Sequence, residues 1–357
     1  MVTLEELLHI LVERKGSDLH VSAGSPPRIR VDGALRPLDM PILTPDETQK
    51  IIFSILDNDQ IAKFEREKEL DMSFGIQGIG RFRVNVFYQR GAVGTAIRVI
   101  PYNIKTFDDL GLPKTVCEKL CQLPRGLILV TGATGSGKST TLAAMINYIN
   151  ESYEGHIITI EDPIEFVHKN KKCLVNQREV GPDTHGFGEA LKHVLRQDPD
   201  VVLIGEMRDI ETIEMGLTLA ETGHLTFATL HTSDCTQTIN RIIDVFPANQ
   251  QSQVRTQLSF VIEGIFCQQL LRLASGRGRA LAAEIMIPTP GIRANIRDDK
   301  IHQIYSAIQT GGKEGMMTMN MSLYTLYAQG KITKETAFEY SQRPDELADI
   351  FAQAARR

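Results

Sequence analysis

Tryptophan is absent, no C-x-x-C pair occurs, and no apolar run approaches the thickness of a bilayer. The longest aliphatic stretches, such as Leu127 to Val130 and Val201 to Ile204, fall far short of the ~18 residues a spanning helix needs. Five cysteines, at 117, 121, 173, 235 and 267, are too scattered for a disulfide framework or a zinc ribbon, so a reducing cytoplasm is expected. Positive charge is short as well. A net charge of −5 over 357 residues suits no general binder of polyphosphate backbones. The N-terminus has no basic start ahead of an apolar core, so no signal peptide is read there. Leu4, Leu7, Leu8 and Leu11 instead form the stripe of an amphipathic helix. Any membrane role is expected to come through a partner.

What is present is a globular balance, with 42% apolar and 23% charged residues, in a chain long enough for two or three domains. Residues 1–100 read as a small α+β domain. Short β-type segments appear at Arg28 to Val31, Met72 to Gly75, Arg81 to Tyr88 and Thr95 to Ile100. The third alternates, with Phe82, Val84 and Val86 on one face and Arg81, Arg83 and Asn85 on the other. Thr44-Pro45-Asp46-Glu47 has the capping-box pattern of a helix start, and that helix is expected to run to about Leu56. Residues 101–113 read as a linker. From 114 to 357 buried β-branched runs alternate with helices, which predicts an α/β domain with a parallel sheet covered on both faces. From about 250 onward the texture is mostly helical, with one strand near Ala280 to Met286.

Gly132-Ala-Thr-Gly-Ser-Gly137-Lys138-Ser139 fits G-x-x-x-x-G-K-[ST], between a buried strand and a helix. Glycines let backbone N–H groups turn inward around phosphates, the lysine neutralises them, and the hydroxyl of Ser139 suits Mg²⁺. The predicted nucleotide-binding residues are Gly132, Thr134, Gly135, Ser136, Gly137, Lys138, Ser139 and Thr140, with ATP and Mg²⁺ as the ligands. Two buried strands end in carboxylates. Val201 to Ile204 is followed by Gly205 and Glu206, which resembles a Walker B strand with glycine where the metal-holding aspartate usually stands. A carboxylate there is placed to deprotonate attacking water. Glu161, in Glu161-Asp-Pro-Ile-Glu165, follows another strand and is the second acidic candidate, for catalysis or Mg²⁺. His224 and His231 stand before and after the strand Thr226 to Leu230. That spacing keeps them from one site, so they do not read as a zinc pair; a γ-phosphate sensor or an inter-subunit contact fits better.

These four motifs occur in this order in the secretion ATPases of the type II and type IV pilus class, which the chain resembles along essentially its whole length. Within that class the resemblance is to the pilus-retraction branch. It includes Gly16-Ser-Asp-Leu-His20, Asn176-Gln-Arg-Glu-Val180 and Tyr305-Ser-Ala-Ile-Gln-Thr-Gly-Gly312. It implies a PAS-like N-terminal domain, a RecA-like ATPase domain and a homohexameric ring. It further implies a cytoplasmic motor, peripheral to the inner membrane through a pilus platform protein, that removes pilin in twitching motility. Arg81, Arg83 and Arg98 then correspond to arginines that reach the phosphates; on alternation alone they read as a solvated face. The branch has an Ala-Ile-Arg segment needed for retraction, and here the first residue is Gly291. Gly291 to Lys300 is expected to be a helix, with Ile292 and Ile296 on one stripe and Arg293 and Arg297 on the next. Periodicity alone makes the isoleucines core and the arginines solvated; the resemblance makes the segment a coupling element. Two other readings were weighed. A nucleic-acid translocating P-loop ATPase would need more than the modest basic clusters Lys169 to Lys172 and Arg272 to Arg279. An accessory paralogue without hydrolysis conflicts with intact Lys138, Ser139 and Glu206.

Overall fold

A computed structural model describes residues 2–31, 33–76, 79–100 and 104–355. The chain divides into two compact units: residues 1–103 with 165–167, and residues 104–164 with 168–357.

The first unit is built on a six-stranded sheet, β1 (Asp18–Val21), β2 (Arg28–Val31), β3 (Ala34–Pro37), β4 (Glu69–Ile76), β5 (Gly80–Gln89) and β6 (Ala92–Ile100), in the order β3-β2-β1-β6-β5-β4. Every pairing is antiparallel. One face carries the core. Phe82, Val84 and Val86 of β5 pack there with Leu4, Leu7, Leu8 and Leu11 of the first helix and with Ile51, Ile52 and Phe64. The other face is polar, as period-2 alternation requires when one side of a sheet is buried. The helix after Thr44 has the expected reciprocal cap and spans Pro45–Phe53. A further helix, Asn58–Glu67, and strands β1 and β3 were not anticipated.

The second unit holds β7 (Gly126–Thr131), β8 (His156–Glu161), β9 (Leu174–Glu179), β10 (Val201–Ile204), β11 (Leu225–Leu230), β12 (Ile262–Arg272) and β13 (Arg279–Met286), in the order β13-β12-β7-β11-β10-β8-β9. All neighbours run parallel except β12 and β13. Two apolar layers cover its faces, one containing Leu127, Leu129, Leu217 and Ile239, the other Ile128, Val130, Met145 and Ile146.

Three sequence expectations need correction. Residues 104–113 belong to the second unit instead of a linker: Thr106 and Asp109 cap a short helix, Phe107–Leu110, whose Phe107 is buried. Residues 101–103 of the proposed linker lie outside the described ones. The region after 250 contains β12, an 11-residue strand that starts directly after the helix Ala248–Val261. With no turn residue between them and burial on both faces, Ile262–Arg272 carries neither a boundary nor an alternation signal. The expected helix over 291–300 is Pro290–Arg297, capped by the Thr289 hydroxyl with Pro290 in the first turn.

Candidate active site

Open α/β sheets place their chemistry at the C-terminal ends of the strands, and here four of those ends carry the polar residues singled out above. β7 runs into the glycine loop. At Gly132, φ is 140°, and a Cβ would lie 2.4 Å from the Gln268 carbonyl and 2.5 Å from Ser136 Oγ, so no side chain fits. The loop therefore folds tightly over β12 at Gln268. The helix Lys138–Ser152 follows, with Gly137 as an N-cap that offers no side-chain hydrogen bond, and no acid in its first turn. Its first N–H groups and positive dipole end are directed at whatever sits in the loop. Lys138 Nζ donates to the carbonyls of Gly132 at 2.8 Å and Ala133 at 3.2 Å. Ser136 Oγ is buried and has no hydrogen-bond partner among the described residues. A buried hydroxyl without a partner costs ~1–3 kcal/mol, a cost that a phosphate oxygen would remove. Glycine cradle, open helix start, lysine and orphaned hydroxyl together fit a nucleotide polyphosphate. Buried Thr141, one turn into that helix, exchanges hydrogen bonds with Gln268 of β12 and holds the helix to the sheet.

β10 ends two strands away from β7. Glu206 follows it on a braced segment: the Gly205 N–H donates to Ile160 O at 2.8 Å, and the Met207 N–H to Thr229 O at 3.0 Å. The glycine in place of the usual aspartate has a packing reason. A Cβ at 205 would press on Ile160 O at 3.1 Å and Glu161 Cα at 3.2 Å, so the strands β8 and β10 close up where a side chain would hold them apart. Glu206 receives Arg208 at 2.7 Å on Oε2 and His231 Nε2 at 3.2 Å on Oε1. Burial pushes its pKa up, but the Arg208 hydrogen bond and the charges of His231 and Arg208 outweigh burial, and the carboxyl sits below the ordinary carboxylate range. It is therefore ionised at neutral pH.

β8 lies one strand further out and ends in Glu161, beside Gly205 in register. Its Oε1 accepts from Thr159 Oγ1 at 2.6 Å and Gln177 Nε2 at 3.2 Å. At roughly 4.8 Å per strand, Glu161 starts about 14 Å from the loop strand and Glu206 about 10 Å. The sheet thus brings Glu206 and His231 into contact. It does not bring in His224, which stands at the opposite end of β11 with Nδ1 on Leu219 O at 3.0 Å. Six strand residues, roughly 20 Å, separate the two histidines, and His224 is dropped from this edge.

In the first unit the arginines fall into one row on the polar sheet face. Register sets Arg30 opposite Asp18, Asp18 opposite Arg98, Arg98 opposite Arg83, and Arg83 opposite Ser73. Arg98 Nε binds Asp18 at 2.8 Å, and Arg30 lies 3.7 Å from the same carboxylate. Burial raises the Asp18 pKa, but hydrogen bonds from Ser17 and Arg98 and the nearby positive charges bring it below its usual value. Arg81 donates to Ser73 Oγ at 2.8 Å. The row is strongly cationic with one embedded acid.

Asp18 and Arg208 were missed as site residues. Asp18 had a signal, since it sits inside Gly16 to His20; Arg208 had none beyond lying two residues after Glu206. Arg293, which periodicity alone makes solvated, is anchored instead: its Nη1 donates to the carbonyls of Ser259 and Phe260 at 3.0 Å each, and Nη2 binds Glu263 at 2.9 Å. It closes the C-terminal end of the helix Ala248–Val261. Ile292 and Ile296 are fully buried, as expected. A Cβ at Gly291 would meet only Thr289 Oγ1 at 3.8 Å, so the glycine departure alters no packing.

Comparison with known proteins places this arrangement. The profile described as "Type II/IV secretion system protein" matches residues 2–310. The type IV pilus retraction ATPase PilT of Pseudomonas aeruginosa is 51% identical over 96% of this chain and 99% of its own. A twitching motility protein of Neisseria gonorrhoeae is 46% identical over 90% of this chain and 86% of its own. A crystal structure of the pilus retraction motor PilT with bound ADP superposes with a TM-score of 0.91 at 52% identity, covering 98% of this chain and 100% of that one. The chain belongs to the type II/IV secretion system protein family.

Proposed function

We propose that this chain is an ATP-hydrolysing motor for type IV pilus retraction, and so for twitching motility. It works as a homohexamer, in the cytoplasm and at the inner membrane through a platform protein. The first unit corresponds to a PAS-like domain and the second to a RecA-like ATPase domain. Among the described residues no helix is long and apolar enough to cross a membrane.

The loop residues Gly132, Thr134, Gly135, Ser136, Gly137, Lys138, Ser139 and Thr140 bind and orient the phosphates through backbone N–H groups, the lysine and the hydroxyls. Glu206 takes the proton of the attacking water at its carboxylate. Arg208 and His231 hold that carboxylate in place and keep it ionised. Arg81, Arg83 and Arg98 supply fixed positive charge to the phosphates as negative charge develops. Ser139 would hold Mg²⁺, with Glu161 as an acidic candidate further along the same edge, and the ion when bound would supply further neutralisation of phosphate charge. The helix Pro290–Arg297 passes the resulting motion on.

The observation that carries this reading is the open helix start over a glycine cradle at the same sheet edge as the braced Glu206. The test is in cells that depend on this chain for retraction. Lys138→Ala is expected to abolish twitching while leaving pili on the surface, and its purified form to lose ATP binding and turnover together. Normal twitching, or normal ATP turnover in that variant, removes the loop from the mechanism.

A further inference from the structure

The cysteines have no ligand spacing in the sequence, yet the fold gathers two of them with a carboxylate. Cys235 opens the helix Cys235–Asp244, and β12–β13 register sets Cys267 directly opposite Glu284. Directly opposed residues of an antiparallel pair point to the same face. All three are buried, at 0%, 0% and 3% exposure, and their ligand atoms lie within 4.8 Å of one another. The two sulfurs are 3.7 Å apart. With Zn–S bonds near 2.3 Å, tetrahedral zinc holds two thiolates about 3.8 Å apart, so this pair is already spaced for it.

The surroundings suit an anionic ligand set. Thr131 Oγ1 donates to Cys267 Sγ at 3.0 Å, and the Cys235 N–H donates to a Glu284 oxygen at 2.9 Å. Such outer hydrogen bonds orient ligands and support their ionised forms. The Met319 N–H also bonds Glu284, so two helix starts, at Cys235 and Met319, turn their positive ends toward it. Burial pushes the Cys235 thiol and the Glu284 carboxyl up, a penalty that a bound cation removes by holding the ligands ionised. Glu284 also lines a cavity of about 30 Å³ with Asp234, Tyr305 and Asn320, which has room for a water.

We propose that Cys235, Cys267 and Glu284 form a buried structural site for one zinc ion, with water from this cavity completing the coordination. Binding displaces the two thiol protons and pairs the ion with the Glu284 carboxylate, leaving a site charge of −1 beside the two helix starts. Because Thr131 immediately precedes Gly132, the ion pins the helix Cys235–Asp244, β12 and β13 beneath the root of the glycine loop. The inference rests on this geometry and is independent of the function proposed above.

Cobalt(II) titration of the purified full-length chain under reducing, anaerobic conditions tests it. Wild type is expected to develop thiolate-to-cobalt charge-transfer absorption that saturates at one ion per chain and is abolished by zinc. Cys267→Ser and Glu284→Gln should weaken or lose it, whereas Cys117→Ser should keep it. Added zinc should raise the Tm of wild type and leave that of Cys267→Ser unmoved. A wild-type chain without the band overturns the proposal, a result that needs no variant to fold. So does a band that survives in Cys267→Ser.

Discussion

The two sheets place their charged residues by different rules. In the antiparallel sheet of the first unit, charge is gathered across strands: Arg30, Asp18, Arg98 and Arg83 stand in one row although they come from four strands. In the parallel sheet of the second unit, charge is gathered along one edge, each residue following its own buried strand. Glu161, Glu206 and His231 come directly or almost directly after apolar runs. A row depends on register, which no single segment reveals. An edge depends on where each strand stops, which is local. The row also holds a tension the edge lacks. Arg83 and Arg98 are directly opposed like charges, an arrangement that destabilises a sheet, and Asp18 offsets it from the other side of Arg98. A chain that keeps such a pair gains most when an anion comes to it.

The largest expected effect follows from that tension. Arg83→Ala should lower ATP turnover by ~10³–10⁵, the range for arginines that stabilise phosphoryl transfer. The same change should leave the Tm of the protein unchanged or slightly higher, because a repulsive cross-strand pair is relieved. Calorimetry and phosphate release on one preparation check both, and a fall in Tm with unchanged turnover would make the row structural. Next is Arg208→Ala, which sharpens the account of the edge. The folded Glu206 pKa is depressed partly by Arg208. Removing the guanidinium raises that pKa, so the acidic limb of kcat/KM against pH should move to higher pH. An unmoved limb assigns it to another group. The smallest effect belongs to Arg293→Ala, which removes two helix-end hydrogen bonds and an ion pair at a three-quarters buried side chain. It should cost about 1–3 kcal/mol in urea denaturation with most ATP turnover retained. Parallel loss of turnover would place Arg293 in the ATP cycle.

Much of this was legible, for identifiable reasons. The glycine loop, Glu206 and Glu161 were readable because a buried parallel strand is a continuous apolar run, and its end marks the chemistry. The caps at Thr44 and Thr289 were local too, though only the first was recognised in advance. What escaped depends on distant neighbours. β12 has no flanking turn and no alternation, Asp18 gains its role from Arg98 80 residues away, and Arg293 is held by carbonyls of another helix. His224 and His231 were already separated by the strand between them, and the structure leaves only His231 at the edge of Glu206. Cys267 and Glu284 meet through register, and Cys235 joins them from the start of a separate helix.

If Glu206 is the base at this edge, the glycine loop binds ATP without it. Glu206→Gln preserves the shape and the Arg208 contact surface but removes the proton acceptor. Phosphate release at saturating ATP, measured beside equilibrium ATP binding on the same purified variant, separates the two roles. ATP binding close to wild type is expected, with turnover lower by ~10²–10⁴. Wild-type turnover in Glu206→Gln, or a loss of binding equal to the loss of rate, would contradict it.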